Sequence, residues 1–222
     1  MTARPSPNHD DRGAAAIDML LLHYTGMASA EAALARLCDP ASKVSAHYAI
    51  DEDGLVYALV PEERRAWHAG VSYWAGARDI NARSIGIELV NPGHEFGYRA
   101  FPEAQISSLV VLAKDILTRH PIPARRVLGH SDVAPARKDD PGELFPWARL
   151  AEAGIGLWPA PANDPGEKAV RYLLTRYGYD PDADLEKTIT AFQRHFRPSR
   201  VDGIADAETR RMLSGLNALY HS

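Results

Sequence analysis

A proline-rich stretch divides this chain into two parts of unequal length. Residues 158–165 contain three prolines in eight positions, and such a stretch cannot continue a helix. It is typical of a stiff linker. We therefore expect a first domain over residues 1–157, a linker over 158–163 and a small second domain over 164–222.

Cysteine content and net charge argue against a disulfide-stabilised fold and against general binding to nucleic acid or anionic membranes. The chain has one cysteine, Cys38, which cannot close an internal disulfide, so the fold must rest on core packing with or without a metal. The 45% of hydrophobic residues is enough for a sizeable core. A formal net charge of -4 gives no general attraction to nucleic acid or to an anionic membrane. We expect a monomer without a nucleic-acid partner.

The N-terminal sequence is informative about the cellular location of the protein. Residues 1–13 are polar and lack the apolar core of a secretory signal. The apolar run at residues 17–22 is far too short to span a bilayer. As given, the chain is predicted to be cytoplasmic, and a periplasmic or envelope location would require a leader that has been removed.

Strand and helix patterns mix in the first domain. Strand patterns cover residues 17–23, 47–50, 56–60, 84–90 and 127–129, and an Asp-Gly pair at 53–54 predicts a hairpin between the second and third. Ser29 is a candidate N-cap for a short helix, and apolar residues at helical spacing predict a long helix from about 102 to 120. This mixture predicts an α/β (α+β) fold with a central mixed β-sheet flanked by helices.

The second domain is predicted to contain three helices. Asp164, Asp184 and Asp206 are candidate N-caps for them, and Pro165 suits the first position of the first helix. Gly178 can end that first helix.

Two histidines stand at the ends of predicted strands. His23 ends the first strand, and His130 follows the last one. Two neutral imidazoles and one carboxylate, with a fourth position left to water, form a pattern of catalytic zinc sites. Asp140 is the natural carboxylate, because Pro141 and Gly142 would fix a turn that directs it back, while Asp139 is its rival. The alternative is a set of unrelated histidines, since the spacing does not match the helical His-Glu-x-x-His motif.

Six ordered segments of the first domain resemble the type-2 N-acetylmuramoyl-L-alanine amidases, whose fold is shared with peptidoglycan recognition proteins. The segments are residues 6–8, 22–27, 45–50, 66–70, 84–89 and 129–142. In the second domain, residues 191–196, 201–204 and 208–209 resemble the small three-helix peptidoglycan-binding domain.

The resemblance implies a zinc-dependent amidase. It assigns zinc to His23, His130 and Asp140, the general base to Glu88, and the stabilisation of developing negative charge to Lys138. The implied reaction is hydrolysis of the amide between N-acetylmuramic acid, including its 1,6-anhydro form, and L-alanine in muropeptides or peptidoglycan. A cytoplasmic chain would meet recycled anhydro-muropeptides, so we expect a role in cell-wall recycling.

Several of these residues have plainer interpretations. Glu88 could be an outward-facing strand residue, and Lys138 a solvated loop charge. His47, Trp67 and His68 are candidate substrate-binding residues of a groove, with core packing as the alternative. The remaining histidines are predicted to lie at the surface: His9, His94, His120, His195 and His221.

Other functions remain open from the residues alone. The chain could act on intact peptidoglycan, cleave between peptide residues, or be a non-catalytic peptidoglycan receptor of the same fold. A receptor need not keep both histidines, Asp140, Glu88 and Lys138 together, and this chain keeps all five. The second domain could hold the enzyme on glycan or brace the first domain.

Overall fold

A six-stranded mixed sheet forms the centre of the protein, whose computed structural model describes residues 1–219. The strands of the described residues are β1 (Thr2–Ala3), β2 (His9–Asp11), β3 (Met19–Tyr24), β4 (Tyr48–Ile50), β5 (Val56–Ala58), β6 (Arg64–Ala66), β7 (Ser84–Leu89) and β8 (Val127–Gly129). The strand order is β1-β5-β4-β7-β3-β8, and β2 pairs with β6 in a separate small sheet. Parallel pairs such as β3–β7 and the antiparallel hairpin β4–β5 confirm the predicted mixed sheet.

Helices cover both faces of this sheet. Those of the described residues are α1 (Ala30–Cys38), α2 (Ile80–Arg83), α3 (Gly93–Phe96), α4 (Glu103–Arg119), α5 (His130–Val133), α6 (Trp147–Glu152), α7 (Val170–Tyr177), α8 (Leu185–Phe196) and α9 (Ala207–Ala218). The bounds of α4 confirm the long helix predicted from apolar spacing. Across residues 1–219, none of the helices combines the length and apolarity needed to cross a lipid bilayer.

Alternation along β3 and β7 separates the two faces of the sheet. Leu20 and Leu22 point to the face covered by α4, where Leu109 and Ile116 are fully buried. Burying one such side chain contributes about 1.5–3 kcal/mol. His23, two residues after Leu21, points to the opposite face. Glu88 of β7 lies beside it in register, so the strand pairing places these two polar side chains next to each other.

Helices α7–α9 cover that opposite face. One apolar cluster joins Met19, Leu21 and Leu128 of the sheet to Tyr177 and Phe192 of these helices. All five side chains are nearly inaccessible to solvent. The sheet and the C-terminal helices therefore share one core.

The proline-rich stretch is fixed against α9. The Ala162 N–H donates to the Arg211 carbonyl at 3.0 Å. The Ala160 carbonyl oxygen lies so close to Gly215 that a Cβ there would be 1.9 Å from it. Only glycine permits this approach, so the stretch is held in place along its length.

Two of the three predicted caps of the C-terminal helices are confirmed. Asp184 accepts a hydrogen bond from the Lys187 N–H, and Asp206 accepts one from the Thr209 N–H. The start predicted at Asp164 is wrong, because Gly166 has a φ of +76° and interrupts the helical backbone. A 3-10 turn at Glu167–Ala169 follows, and α7 begins only at Val170.

Candidate metal centre

The side chains of His23, His130 and Asp140 converge on one buried point. Their ligand atoms lie within 4.8 Å of one another. Asp140 Oδ2 is 2.9 Å from His23 Nδ1 and 3.1 Å from His130 Nδ1, and the two Nδ1 atoms are 3.0 Å apart. Ligands held tetrahedrally at about 2.0–2.1 Å from an ion are spaced by roughly 3.3 Å, so the triangle suits a small cation.

The backbone holds His130 and Asp140 together. His130 is the first residue of α5, directly after β8. The Ser131 N–H donates to the Asp140 carbonyl at 2.9 Å. Beyond Asp140, the Tyr98 hydroxyl donates to the Pro141 carbonyl at 2.7 Å and packs where a Cβ of Gly142 would stand, 2.3 Å away. The turn after Asp140 therefore depends on glycine, as the Pro-Gly pair predicted.

A chain of hydrogen bonds sets the tautomer of His23. The Ser84 hydroxyl donates to the Ile80 carbonyl at 2.7 Å, so its oxygen accepts from His68 Nε2 at 3.2 Å. His68 Nδ1 is then an acceptor for the Nε2–H of His23, at 3.0 Å. His23 Nδ1 therefore carries a lone pair, and it points toward Asp140.

His130 is oriented in the same way by a different partner. Its Nε2–H donates to the Ala69 carbonyl at 3.0 Å, which leaves a lone pair on Nδ1. Two imidazole lone pairs and a carboxylate oxygen thus face one another. Burial lowers the pKa of His23 to about 4, which favours the neutral imidazole, the form that binds metals. This donor set could hold a cation, and two imidazoles with one carboxylate fit zinc.

Glu88 and Lys138 line a cavity of about 530 Å³, and two of the three candidate ligands, His130 and Asp140, line it as well. Within residues 1–219, Glu88 Oε2 has no hydrogen-bond partner although it is buried. Burial raises the pKa of Glu88 well above its ordinary value, nearby Asp140 adds to the shift, and Lys138 opposes it. A carboxylate whose pKa is raised in this way is a stronger base when it is ionised, as proton transfer from water requires.

The three candidate groove residues occupy different positions. Trp67 is half-buried and lines the cavity, and so does the edge of His68. His68 packs on Gly86, where a Cβ would be 2.5 Å from the ring. His47 is fully buried and outside the cavity lining, and its Nδ1 accepts the Gly86 N–H at 2.9 Å. The position of His47 corresponds to the core-packing alternative.

The surface prediction is wrong for His195. It is 2% exposed, and its Nδ1 donates to Asp132 Oδ2 at 2.7 Å. His94 is exposed, while His9 and His120 are half-buried, the latter 2.6 Å from Glu62. His221 lies outside the described residues. A signal was available for His195, because it follows Phe192 by one helical turn and therefore shares the buried face of α8.

Ser84 and Asp132 are functional-site neighbours that the sequence prediction missed. Ser84 and Glu88 alternate with buried aliphatic residues of β7, so the period of two identifies the serine as facing the same side as His23. Asp132 carried no comparable signal for its contacts with Tyr179 and His195, since these two partners come from distant parts of the chain.

The substitution His68→Ala is expected to weaken metal binding about 10- to 100-fold. It removes the acceptor for the His23 Nε2–H and with it the bond that fixes the ring and its tautomer. The dissociation constant is measured by competition with a chromogenic chelator.

His68→Asn is the rescue variant, because an asparagine oxygen can stand near the position of the histidine Nδ1 and accept the same hydrogen bond. His9→Ala, at a histidine outside the cavity, is the control and should bind metal as the unaltered protein does. Equal affinities for the alanine variants at 9 and 68 would refute the role of the His68 bond.

Sequence comparison matches two family models. The model described as "N-acetylmuramoyl-L-alanine amidase" covers residues 13–143, and the model described as "Putative peptidoglycan binding domain" covers residues 163–213. The first match contains all three candidate ligands, Glu88 and Lys138.

The chain is similar to curated proteins over different lengths. The chain is 41% identical to "N-acetylmuramoyl-L-alanine amidase AmiD" of Escherichia coli over 92% of this chain and 83% of that protein. It is 43% identical to "1,6-anhydro-N-acetylmuramyl-L-alanine amidase AmpD" of Citrobacter freundii, over 49% of this chain and 56% of that one.

Two solved structures are close to this fold along nearly the whole chain. AmiD of E. coli, in complex with the substrate anhydro-N-acetylmuramic acid-L-Ala-D-gamma-Glu-L-Lys, has a TM-score of 0.83 and 41% identity, over 94% of this chain and 92% of that one. AMPDH3 of Pseudomonas aeruginosa has a TM-score of 0.86 and 36% identity, over 99% of this chain and 96% of that one.

Proposed function

Since the chain belongs to the N-acetylmuramoyl-L-alanine amidase family, we propose that it releases stem peptides from 1,6-anhydro-muropeptides with the help of zinc. The bond cleaved is the amide between the lactyl group of N-acetylmuramic acid and L-alanine. The observation that carries the proposal is the convergence of three lone pairs from His23, His130 and Asp140 beneath one cavity.

The proposed zinc would be held by these three side chains and would leave a position open toward the cavity. When bound, zinc lowers the pKa of a water it holds toward roughly 7 and polarises a carbonyl group. Side chains of the protein would transfer the proton and stabilise the developing negative charge. Glu88 takes a proton from the attacking water and returns it to the leaving amine nitrogen of L-alanine.

Lys138 lines the same cavity and carries a positive charge. Its ammonium would stabilise the negative charge that develops on the amide oxygen. Two arginines (Arg36 and Arg137) and two further acids (Glu95 and Asp139) also line the cavity, so it offers partners to a peptide ligand that carries carboxylates as well as an amino group. A stem peptide with its free carboxylates is such a ligand.

The anhydro sugar is proposed from the relatives. The E. coli AmiD structure holds an anhydro-N-acetylmuramic acid peptide, and AMPDH3 has been solved with an anhydromuramic pentapeptide. Anhydro-muropeptides are the fragments that cell-wall recycling brings to the cytosol, and we place the activity there.

A second substrate is supported by a separate observation. The match of residues 163–213 to a peptidoglycan-binding model favours an enzyme that also acts on the intact wall. In that case the activity would lie in the cell envelope.

Mass spectrometry of the products distinguishes these proposals. Purified protein incubated with anhydro-muropeptide is expected to release a free peptide that begins with L-alanine, and a zinc chelator should abolish the release. Release from intact sacculi alone would move the activity to the wall. Cleavage between peptide residues, or no release from either substrate, would contradict the proposal.

A further inference from the structure

The C-terminal helices contact the loop that carries two of the three ligands. We name residues 130–143 the ligand loop, because it begins with His130 and includes Asp140. The residues that reach it from the C-terminal helices and their connections are Tyr179, Arg194 and His195.

Asp132 is the main point of contact. Its side chain is fully buried, two residues after His130. Asp132 Oδ2 accepts from the Gly129 N–H at 2.8 Å and from His195 Nδ1 at 2.7 Å. Asp132 Oδ1 accepts from the Tyr179 hydroxyl at 2.6 Å. Burying a carboxylate without partners costs free energy. Two of these three partners come from residues 164–219, which we call the C-terminal segment.

His195 is itself held firmly. Its ring stacks on Trp147 with a centroid distance of 3.7 Å and on Phe196 at 3.8 Å. Trp147 follows the ligand loop, and Phe196 belongs to the shared core. The two stacking contacts restrict the plane of the imidazole, and its Nδ1 is directed at the carboxylate of Asp132.

Arg194 contacts the other end of the ligand loop. Its guanidinium is 2.9 Å from Asp139, the residue before Asp140, and 3.7 Å from Glu143. The last turn of α8 thus touches the loop close to both ligands. Because the Ser131 N–H also bonds the Asp140 carbonyl, a shift of α5 would move both ligands at once.

We propose that His195 and Tyr179 are positioning residues for the metal site, acting through Asp132. They fix α5 and so the direction of the His130 lone pair, although neither touches a ligand atom. The C-terminal segment would then help to position the metal ligands of the hydrolase, in addition to any role in attachment. The inference rests on the proposed zinc site.

The test compares variants of the full-length protein. His195→Ala and Tyr179→Phe are expected to weaken zinc binding about tenfold or more, measured by chelator competition. The visible spectrum of cobalt(II)-substituted protein should change with them, because it reports ligand geometry. His195→Asn should restore most of the affinity, since its amide can donate where Nδ1 does.

Asn217→Ala is the matched control. Asn217 is 4% exposed, and among residues 1–219 its side chain bonds only Leu173 and Leu213, both in the C-terminal helices. Its loss should lower the melting temperature of the protein without changing zinc affinity or the cobalt spectrum.

The results distinguish the positioning role of His195 and Tyr179 from the existence of the zinc site. Unchanged zinc affinity in His195→Ala and Tyr179→Phe, or an equal loss in Asn217→Ala, would overturn the positioning role while leaving the amidase intact. Absence of stoichiometric zinc in the unaltered protein would overturn the metal site itself, and the positioning role with it.

Discussion

Glu88→Gln is expected to lower kcat about 100- to 10,000-fold while zinc stays bound. The amide has nearly the shape of the carboxyl but cannot accept a proton from water. Glu88 is not one of the three candidate ligands and glutamine fills the same space, so we expect the substitution to leave the fold and the ligands undisturbed. Initial rates of peptide release and zinc content per chain are the two measurements.

Glu63→Gln provides the control for this substitution. Glu63 is exposed and outside the cavity lining, and its variant should retain both rate and zinc. If Glu88→Gln kept more than about a tenth of the rate, proton transfer would have to be assigned to another group. If it lost zinc, its effect would be on the metal site instead.

The second large effect is expected from Asp140→Asn, which should weaken zinc binding by more than about 100-fold and abolish activity at ordinary zinc levels. Outer partners of metal ligands alone contribute 10- to 100-fold, so loss of a charged ligand should exceed that range. The carboxylate is also the group that faces both imidazole lone pairs. Zinc content after dialysis and chelator competition measure the effect.

Asp139→Asn tests the rival assignment directly. The side chain of Asp139 is half-exposed at 52% and pairs with Arg194, whereas that of Asp140 is 8% exposed and faces the histidines. The Asp139 variant should keep zinc bound through dialysis. The opposite result, with zinc lost from Asp139→Asn and kept by Asp140→Asn, would exchange the two residues in the proposed site.

Local patterns predicted most of the fold. The helix at Glu103–Arg119 has a strong apolar period, and the hairpin of β4 and β5 is marked by an Asp-Gly turn. The caps at Asp184 and Asp206 are local interactions between residues three apart. Asp164 failed because the cap pattern says nothing about the backbone at Gly166, where a positive φ breaks the helix.

The site was predicted less completely, because its supporting bonds join distant residues. Strand ends and the resemblance to the amidases identified His23, His130 and Asp140. The bond between Asp132 and His195 links residues 63 positions apart, and it depends on how α8 packs on the sheet. No local pattern encodes that packing.

The fixed proline-rich stretch has a mechanical consequence. A catalytic domain joined to a binding domain by a flexible linker can reach any bond within the length of that linker. Here Ala160 is pressed against Gly215 and the two parts share a core, so the catalytic cavity keeps one distance and one direction from the C-terminal helices. If those helices bind a polymer, the enzyme would cleave at a constant distance from each point of binding.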